Sequence, residues 1–301
     1  MLEKIRNENK DFFDTIQQID KLNVGFTNDV YSLDNKYILK VCKDLSNEKR
    51  FNNEIDFYIK NASSNYIPEM ILYHRAENDK DQSYIILEKL SGKSLYYVWH
   101  TFSSTERENV VHEIANLMKS IHSNEGGSKD WSKYITDKIK KNLEICKNEN
   151  ILDDDICDKG FKVVGEADKY LESSEFSLIH SDIHFDNLIY TDAGEIKIID
   201  FETSIFAPID YELDIFIRMC NNPLKYASEE TEPLVKVQDY ENIEKQLRQF
   251  YPEIFSQKYY EIRMKYYDFE ANLRLLPRFR TDNELKDIVT KTINELDNLI
   301  S

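Results

Sequence analysis

The segment "LIHSDIHFDNLIY", residues 178–190, concentrates two histidines, two aspartates and an asparagine between the apolar pairs Leu178–Ile179 and Leu188–Ile189. Short apolar runs of this kind are typical of buried strands. The polar side chains between them are therefore held near buried backbone, and they are too many and too mixed for ordinary surface. We expect a functional loop here, in a fold that supplies strands on both sides of it.

Composition limits the partners of this chain. Its 301 residues are enough for one large domain or for two lobes with cores of their own. Lys and Arg number 39 and Asp and Glu number 56, so the formal net charge is −17. This acid excess would repel phosphates and argues against nucleic acid or an anionic membrane as a partner. It is compatible with a cationic small-molecule substrate and equally with a plainly solvated surface.

The sequence also predicts a soluble, cytoplasmic protein. The four cysteines lie far apart without a C-x-x-C pair, which favours reduced thiols over a disulfide framework or a zinc site. The first 19 residues are charged throughout and do not form a signal peptide. No stretch approaches the ~20 apolar residues that a membrane helix needs.

Hydrophobic patterning makes the first third of the chain rich in strands. Residues 28–34 and 35–43 alternate around a turn at Asp34–Lys36. Apolar residues at helical spacing follow at 45–62, and a buried strand is expected at 83–90. These elements predict an antiparallel sheet with one helix.

The rest of the chain has a helical pattern from about residue 104 onward. Only 178–200 interrupts it, with short apolar runs and a turn at Asp192–Gly194. The layout predicts an α+β fold with two lobes. The expected domains are an N-terminal nucleotide-binding lobe in 1–90 and a larger helical catalytic and substrate-binding lobe in 91–301.

The order of the chemically distinctive residues points to a reaction. Lys40 on a strand and Glu54 on a helix precede H-x-D-x-x-x-x-N at His180–Asn187, and an apolar strand then ends in Asp200. These are the parts required for phosphoryl transfer from a nucleotide.

Each of these residue types has a chemical reason. Phosphoryl transfer depends on positioning and on compensating the negative charge of the moving group. Asp182 would orient the acceptor hydroxyl and take its proton, while Asn187 and Asp200 would bind Mg²⁺, which accepts hard oxygen ligands. Lys40 would neutralise the α- and β-phosphates of ATP or GTP, and Glu54 would hold Lys40 in place.

Two other interpretations of the loop stay open at this point. His180, Asp182 and His184 alternate along an extended segment and could form a metal centre. The loop could also be polar for structural reasons alone.

The motifs resemble those of the aminoglycoside phosphotransferase superfamily, which includes choline, macrolide, homoserine and methylthioribose kinases. "LIHSDIHFDNLIY" and "GEIKIIDFE" are similar to its H-G-D-[LIF]-H-x-x-N and I-D-[FW] patterns. The resemblance extends over about 20–220 and implies a protein-kinase-like fold. "VGFTNDVYSL" resembles the family's nucleotide loop, which implies nucleotide contacts for Gly25 and Asn28. "YIILEKLSGKSL" resembles its hinge and implies the same for Glu88 and Leu90.

The resemblance also extends to a structural anchor. "APIDYELDIF" resembles the family's P-x-x-x-D-[LI] segment, which implies that Asp214 is the buried anchor of the catalytic loop. Ser181 and Glu202 depart from the pattern, because many antibiotic kinases have glycine at both positions. Choline and homoserine kinases often carry glutamate at the second position. A protein kinase is disfavoured, because no A-P-E segment follows Asp200 at activation-loop distance.

Three functional hypotheses result. The first is a nucleotide-dependent antibiotic-resistance kinase that phosphorylates a hydroxyl of an antibiotic, with an aminoglycoside favoured. Asp268 and Glu270 are its candidate contacts to ammonium groups, and their spacing allows at most one of them to face a cleft. The second is a metabolite kinase acting on choline, homoserine or a thiosugar. The third is an inactive binding or coat protein on a kinase-like scaffold.

Overall fold

The computed structural model describes residues 2–22, 27–78 and 81–300. Contacts divide the chain into two compact units that alternate along the sequence. The first unit consists of Met1–Leu117, Asp182–Ser204 and Leu224–Asp239. The second unit consists of Met118–Ser181, Ile205–Pro223 and Tyr240–Ser301. The expected boundary at residue 90 stays a prediction.

The elements of both units follow in chain order. The strands are β1 (Ile19–Leu22), β2 (Asn28–Leu33), β3 (Tyr37–Cys42), β4 (Met70–His74), β5 (Tyr84–Glu88), β6 (Gly92–Ser94), β7 (Ser177–Ile179), β8 (Leu188–Thr191), β9 (Ile196–Ile198) and β10 (Ile205–Ala207). The helices are α1 (Leu2–Glu8), α2 (Lys10–Phe13), α3 (Glu48–Lys60), α4 (Leu95–Val98), α5 (Ser104–His122), α6 (Trp131–Asn148), α7 (Asp154–Gly165), α8 (Asp168–Leu171), α9 (Leu213–Asn221), α10 (Pro223–Tyr226), α11 (Ile243–Phe250), α12 (Tyr260–Leu275) and α13 (Asn283–Ile300). Short 3-10 turns lie at Leu45–Asn47, Trp99–Thr101, Ile209–Glu212, Glu232–Leu234, Val237–Asp239 and Pro252–Phe255.

The main sheet of the first unit has five antiparallel strands in the order β1-β2-β3-β5-β4. The turn between β2 and β3 has left-handed backbone at Asp34 and Asn35, with φ of 52° and 57°. Asp and Asn tolerate this conformation better than other residues with side chains, which explains why the hairpin forms where the sequence predicts it. Leu33 and Leu39 are fully buried in the core of this sheet.

A smaller sheet in the first unit, with the order β6-β8-β9, carries the segment that follows the catalytic motif. The turn predicted at Asp192–Gly194 is present and joins β8 to β9 in a hairpin, and Gly194 has φ of 81°. The apolar run at 177–179 does not join this hairpin. It forms β7, which pairs with β10 in the second unit.

The second unit is largely helical, and its core contains the apolar faces of α6, α7, α12 and α13. Trp131, Ile139, Tyr267 and Ile293 are among its buried side chains. Within the described part of the chain, none of the helices has the length and apolarity that a bilayer crossing requires. The predicted fold class, an antiparallel N-terminal sheet with a larger helical part, is confirmed.

Candidate active site

The amino group of Lys40 lies among three carboxylates of the first unit. Lys40 is on β3, and its Nζ is 2.9 Å and 2.7 Å from the carboxylate oxygens of Glu54 on α3. The same nitrogen is 3.2 Å from Asp200 Oδ1 and 3.7 Å from Glu202 Oε1. The side chains of Lys40 and Glu54 are 13% and 1% exposed. The structure thus brings together three of the predicted site residues, and it adds Glu202.

Burial and charge oppose each other in this cluster. Burial favours the neutral amine of Lys40, but the negative charges of Glu54, Asp200 and Glu202 prevail and raise its pKa. Burial also raises the pKa of Glu54 to about 7, while the ammonium of Lys40 acts in the opposite direction. One ammonium cannot balance three carboxylates, so the cluster favours a further cation.

The β8–β9 hairpin brings Asn187 and Asp200 to the same end of the small sheet. Asn187 immediately precedes β8, and Asp200 follows β9 after a single residue. Leu188 stands opposite Ile198, and the Ile199 N–H donates to the carbonyl of Asn187 at 3.0 Å. The pairing of two short apolar runs therefore explains why residues thirteen positions apart in the sequence can serve one site.

Asp200 and Phe201 have opposite surroundings. Asp200 has left-handed backbone with φ of 69°, and its side chain is 47% exposed. Phe201 is fully buried and stacks on Phe57 of α3 with ring centroids 3.8 Å apart. The phenyl ring therefore fixes the backbone, and the adjacent carboxylate stays accessible.

The loop that precedes β8 is closed by the side chain of Asn187. Its Nδ2 donates to the backbone carbonyl of Asp182 at 3.0 Å and lies 3.2 Å from His184 Nε2. The side chain of Asn187 is buried, whereas that of Asp182 is 33% exposed. The residue predicted to meet the acceptor is thus the more accessible of the two.

Glu202 is a site residue to which the sequence assigned no role. Asn28 Nδ2 donates a short hydrogen bond to Glu202 Oε1, and Thr27 Oγ1 lies 3.2 Å from the same oxygen. Asn28 is the first residue of β2. Glu202 therefore links the start of β2 to the Lys40 cluster. The side chain of Asn28, which was expected to contact the nucleotide, donates a hydrogen bond to this carboxylate of the protein.

A cavity of about 380 Å³ in the first unit adjoins the cluster. Glu88 and Leu90, the predicted hinge residues, both line it, and so does Asn28. The cavity is completed by the apolar side chains of Leu22, Val30, Ile38, Leu87, Ile189 and Ile199. Gly25 lies outside the described residues. An apolar slot whose lining also contains Lys40, Glu54 and Asp200 suits a planar base that carries phosphates.

In the second unit a buried carboxylate holds the beginning of the motif. Glu212 is fully buried and accepts the backbone N–H groups of His180 and Ser181, each at 2.7 Å. The sequence prediction that Asp214 is this anchor is wrong. Asp214 instead accepts hydrogen bonds from Arg218 on the same helix at 3.1 Å and 2.7 Å. Glu212 stands four residues after Pro208, which is the spacing of the family's aspartate, so the signal was available.

Asp268 and Glu270 both lie on α12 of the second unit, with different surroundings. Asp268 is partly buried and accepts a hydrogen bond from Asn272 at 2.8 Å. Glu270 is 2% exposed, and its Oε1 receives no hydrogen bond from the described residues. Arg274 Nε is the nearest cation to it, at 3.5 Å. Burial raises the pKa of both carboxyl groups.

The residues present fit a divalent cation of the hard type. Among the described residues, the His, Cys, Asp and Glu side chains close enough to share an ion are Glu54, Asp200 and Glu202, a group without histidine. Carboxylate and amide oxygens are the ligands that Mg²⁺ prefers. The alternative centre built on histidines is not supported.

Comparison with known proteins identifies the family. Residues 18–241 match the model of the phosphotransferase enzyme family, abbreviated APH. The chain belongs to this family. The predicted superfamily resemblance and the predicted activity of a phosphotransferase with an alcohol acceptor are thereby confirmed. No curated protein sequence matches the chain.

Solved structures share the fold of this APH family member. ADP-bound aminoglycoside phosphotransferase APH(2'')-Ib is 15% identical, with a TM-score of 0.67 over 98% of this chain and 95% of that one. The streptomycin-ATP-APH(2")-IIa ternary complex is 16% identical, with a TM-score of 0.66 over 98% and 94%. Aminoglycoside phosphotransferase APH(4)-Ia is 17% identical, with a TM-score of 0.61 over 100% and 98%. At these identities the likeness establishes the fold.

Proposed function

We propose that this protein transfers the γ-phosphate of ATP or GTP to a hydroxyl of an aminoglycoside antibiotic. The observation that carries the proposal is the convergence of Glu54, Asp200 and Glu202 on Lys40 beside an apolar cavity. Such an arrangement suits a nucleotide whose base enters the cavity and whose phosphates meet the lysine.

The donor side uses residues that the structure already holds in place. Lys40 would neutralise the phosphates, and Glu54 keeps its side chain in position through two oxygen contacts. Glu88 and Leu90 would present backbone groups to the base at the cavity edge. Structural neighbours with bound ADP, ATP and GDP support a nucleotide donor.

Asn187 and Asp200 would hold Mg²⁺, which compensates the charge of the transferring phosphoryl group when it is bound. Asn187 offers Oδ1, because its amide nitrogen is used within the loop. Asp200 offers an accessible carboxylate at the end of the same hairpin.

Asp182 would act on the acceptor. Its carboxylate would accept a hydrogen bond from the substrate hydroxyl, orient the oxygen for in-line attack and take the proton as the bond to phosphorus forms. Its partial exposure suits this role.

The aminoglycoside acceptor is supported by charge and by the neighbours. Streptomycin, gentamicin and kanamycin are named in complexes of the structurally similar enzymes. Aminoglycosides are polycations, and the chain has a net charge of −17. Asp268 and Glu270 are the candidate contacts: Asp268 lines a cavity of about 330 Å³ in the second unit, and the buried Oε1 of Glu270 lacks a hydrogen bond from the described residues.

A second candidate is a metabolite kinase, and Glu202 favours it. The side chain is built into the Lys40 cluster, and glutamate at this position is frequent in the choline and homoserine kinases that the sequence resembles. An inactive scaffold is disfavoured, because Lys40, Glu54 and Asp200 remain in contact.

A substrate panel separates these candidates. Magnesium-dependent ADP or GDP release is measured with aminoglycosides in one set and with choline, homoserine and methylthioribose in the other. Stimulation by an aminoglycoside, together with resistance of a susceptible host that expresses the gene, supports the proposal. Stimulation by a metabolite alone selects the second candidate, and no turnover with any donor selects the inactive scaffold.

A further inference from the structure

The amide of Asn187 has a defined orientation in the first unit. Its Nδ2 lies 3.0 Å from the backbone carbonyl oxygen of Asp182. A carbonyl oxygen only accepts hydrogen bonds, so the amide atom facing it must be the nitrogen. The opposite side of the amide, Oδ1, receives no hydrogen bond from any residue that the structure describes.

The second hydrogen of this amide nitrogen needs an acceptor, and two atoms are within range. His184 Nε2 is 3.2 Å away and Asp182 Oδ2 is 3.5 Å away. The imidazole is the closer partner, and because an amide nitrogen only donates, Nε2 of His184 must be the accepting nitrogen.

The imidazole is held in this role at a cost. When Nε2 accepts the amide hydrogen, Nδ1 is the ring nitrogen that remains to donate. That nitrogen is buried and finds no hydrogen-bond partner among the described residues. A buried polar atom without a partner in a folded protein calls for an explanation, and a positioning role of the other ring nitrogen supplies one.

From these contacts we infer that His184 is a positioning residue for the metal-binding oxygen of Asn187. The imidazole and the Asp182 carbonyl together take both amide hydrogens, which fixes the plane of the amide and leaves Oδ1 without a hydrogen bond from the described residues. His184 itself neither binds the ion nor touches the reacting atoms. The inference rests on the proposed function, in which Asn187 is a magnesium ligand.

The test uses binding and not turnover. The Kd for ADP is measured calorimetrically on the full chain, once with EDTA and once with saturating Mg²⁺, and the ratio of the two constants gives the contribution of the metal. His184→Phe removes the acceptor nitrogen and keeps a planar ring. His184→Gln restores an acceptor oxygen. His112→Phe on the exposed surface of α5 is the matched control for losing a histidine.

We expect His184→Phe to reduce the metal contribution by about 10–100-fold, the effect seen for groups that orient metal ligands. Its Kd in EDTA should stay unchanged, which also shows that the variant is folded. His184→Gln should recover most of the contribution, and His112→Phe should equal wild type. An unaltered ratio in His184→Phe, or an equal loss in His184→Gln, overturns the inference.

The same measurement on Asn187→Ala separates the role of Asn187 as a metal ligand from the role of His184 as its positioning residue. A lost metal contribution in Asn187→Ala with a normal one in His184→Phe means that the ligand assignment is right and the role of His184 is wrong. A normal contribution in Asn187→Ala means that Asn187 does not bind the metal, and the role of His184 then fails with it.

Discussion

Glu270 illustrates at the scale of one residue how burial and function conflict. Its side chain is 2% exposed, and burial raises its pKa despite the partly opposing charges of Lys138 and Arg274. When folding raises the pKa of a carboxyl group, the folded protein loses stability as the pH rises from the unfolded pKa, 4.5, through the folded pKa. At neutral pH the ionised carboxylate is therefore a liability for stability, which suggests that it is retained for binding.

We accordingly expect Glu270→Gln to be more stable than wild type at pH 7–8. The gain in Tm should be about 2–4 °C, the shift expected for ~1 kcal/mol in a domain of this size. It should disappear below the unfolded pKa of 4.5, where the wild-type carboxyl is also neutral. Thermal melts across this range measure it. A variant that melts lower than wild type at neutral pH would show that the charge is stabilising.

The same substitution tests the acceptor site. Glu270→Gln should raise KM for an aminoglycoside by about 3–10-fold and leave KM for the nucleotide unchanged, because it removes one ion pair with an ammonium group. The salt dependence of antibiotic binding should weaken as well. Asp268→Asn tests the second candidate on the same helix, which accepts a hydrogen bond from Asn272. Equal KM values in Glu270→Gln and wild type would move the cationic subsite elsewhere.

At the scale of elements, the β8–β9 hairpin is responsible for bringing Asn187 and Asp200 to one end of a sheet. Asn187→Ala and Asp200→Ala should both raise the Mg²⁺ concentration needed for half-maximal activity. Asp200→Ala should have the larger effect, because a charged ligand is lost. Titration of activity with Mg²⁺ measures both shifts. Unchanged metal dependence in Asp200→Ala would refute the assignment.

The contact of Glu202 with Asn28 links two further elements, the start of β2 and the segment after β9. Glu202→Ala should weaken nucleotide binding by about 10–100-fold, the loss expected for a buried hydrogen bond to a charged group. Glu202→Gln keeps an accepting oxygen toward Asn28 and should lose much less. Nucleotide affinities of the two variants and of Asn28→Ala decide this. Equal losses in Glu202→Ala and Glu202→Gln would mean that nucleotide binding depends on the negative charge of Glu202 and not on its hydrogen bond to Asn28.

At the scale of the whole molecule, the predictable parts were those with local signals. The β2–β3 hairpin followed from alternation and from turn residues that accept left-handed backbone. Pairing of Lys40 with Glu54 followed from the order of motifs. Strand β7 was expected from its apolar pair, but its pairing with β10 was beyond prediction, because β10 has only three residues and 25 residues separate the two strands.

Other site features depended on tertiary contacts that no local pattern encodes. Glu202 meets Asn28 across 174 positions in the sequence. Glu212 was overlooked in favour of Asp214, although its distance from Pro208 fits the family pattern, because glutamate replaces the expected aspartate. The domain boundary, the cytoplasmic location and the roles of the site residues stay predictions.

The central claim is that this family member transfers a phosphoryl group from a nucleotide to an acceptor hydroxyl with Asp182 as the base. Its most direct test is ³¹P NMR of the product formed from ATP or GTP and an aminoglycoside, with wild type and Asp182→Asn compared at saturating nucleotide and Mg²⁺. Wild type should form a phosphate monoester of the aminoglycoside, and Asp182→Asn should bind nucleotide normally and form it about 10²–10⁴-fold more slowly. Inorganic phosphate as the sole product of wild type, or a rate in Asp182→Asn above about a tenth of wild type, would contradict the account.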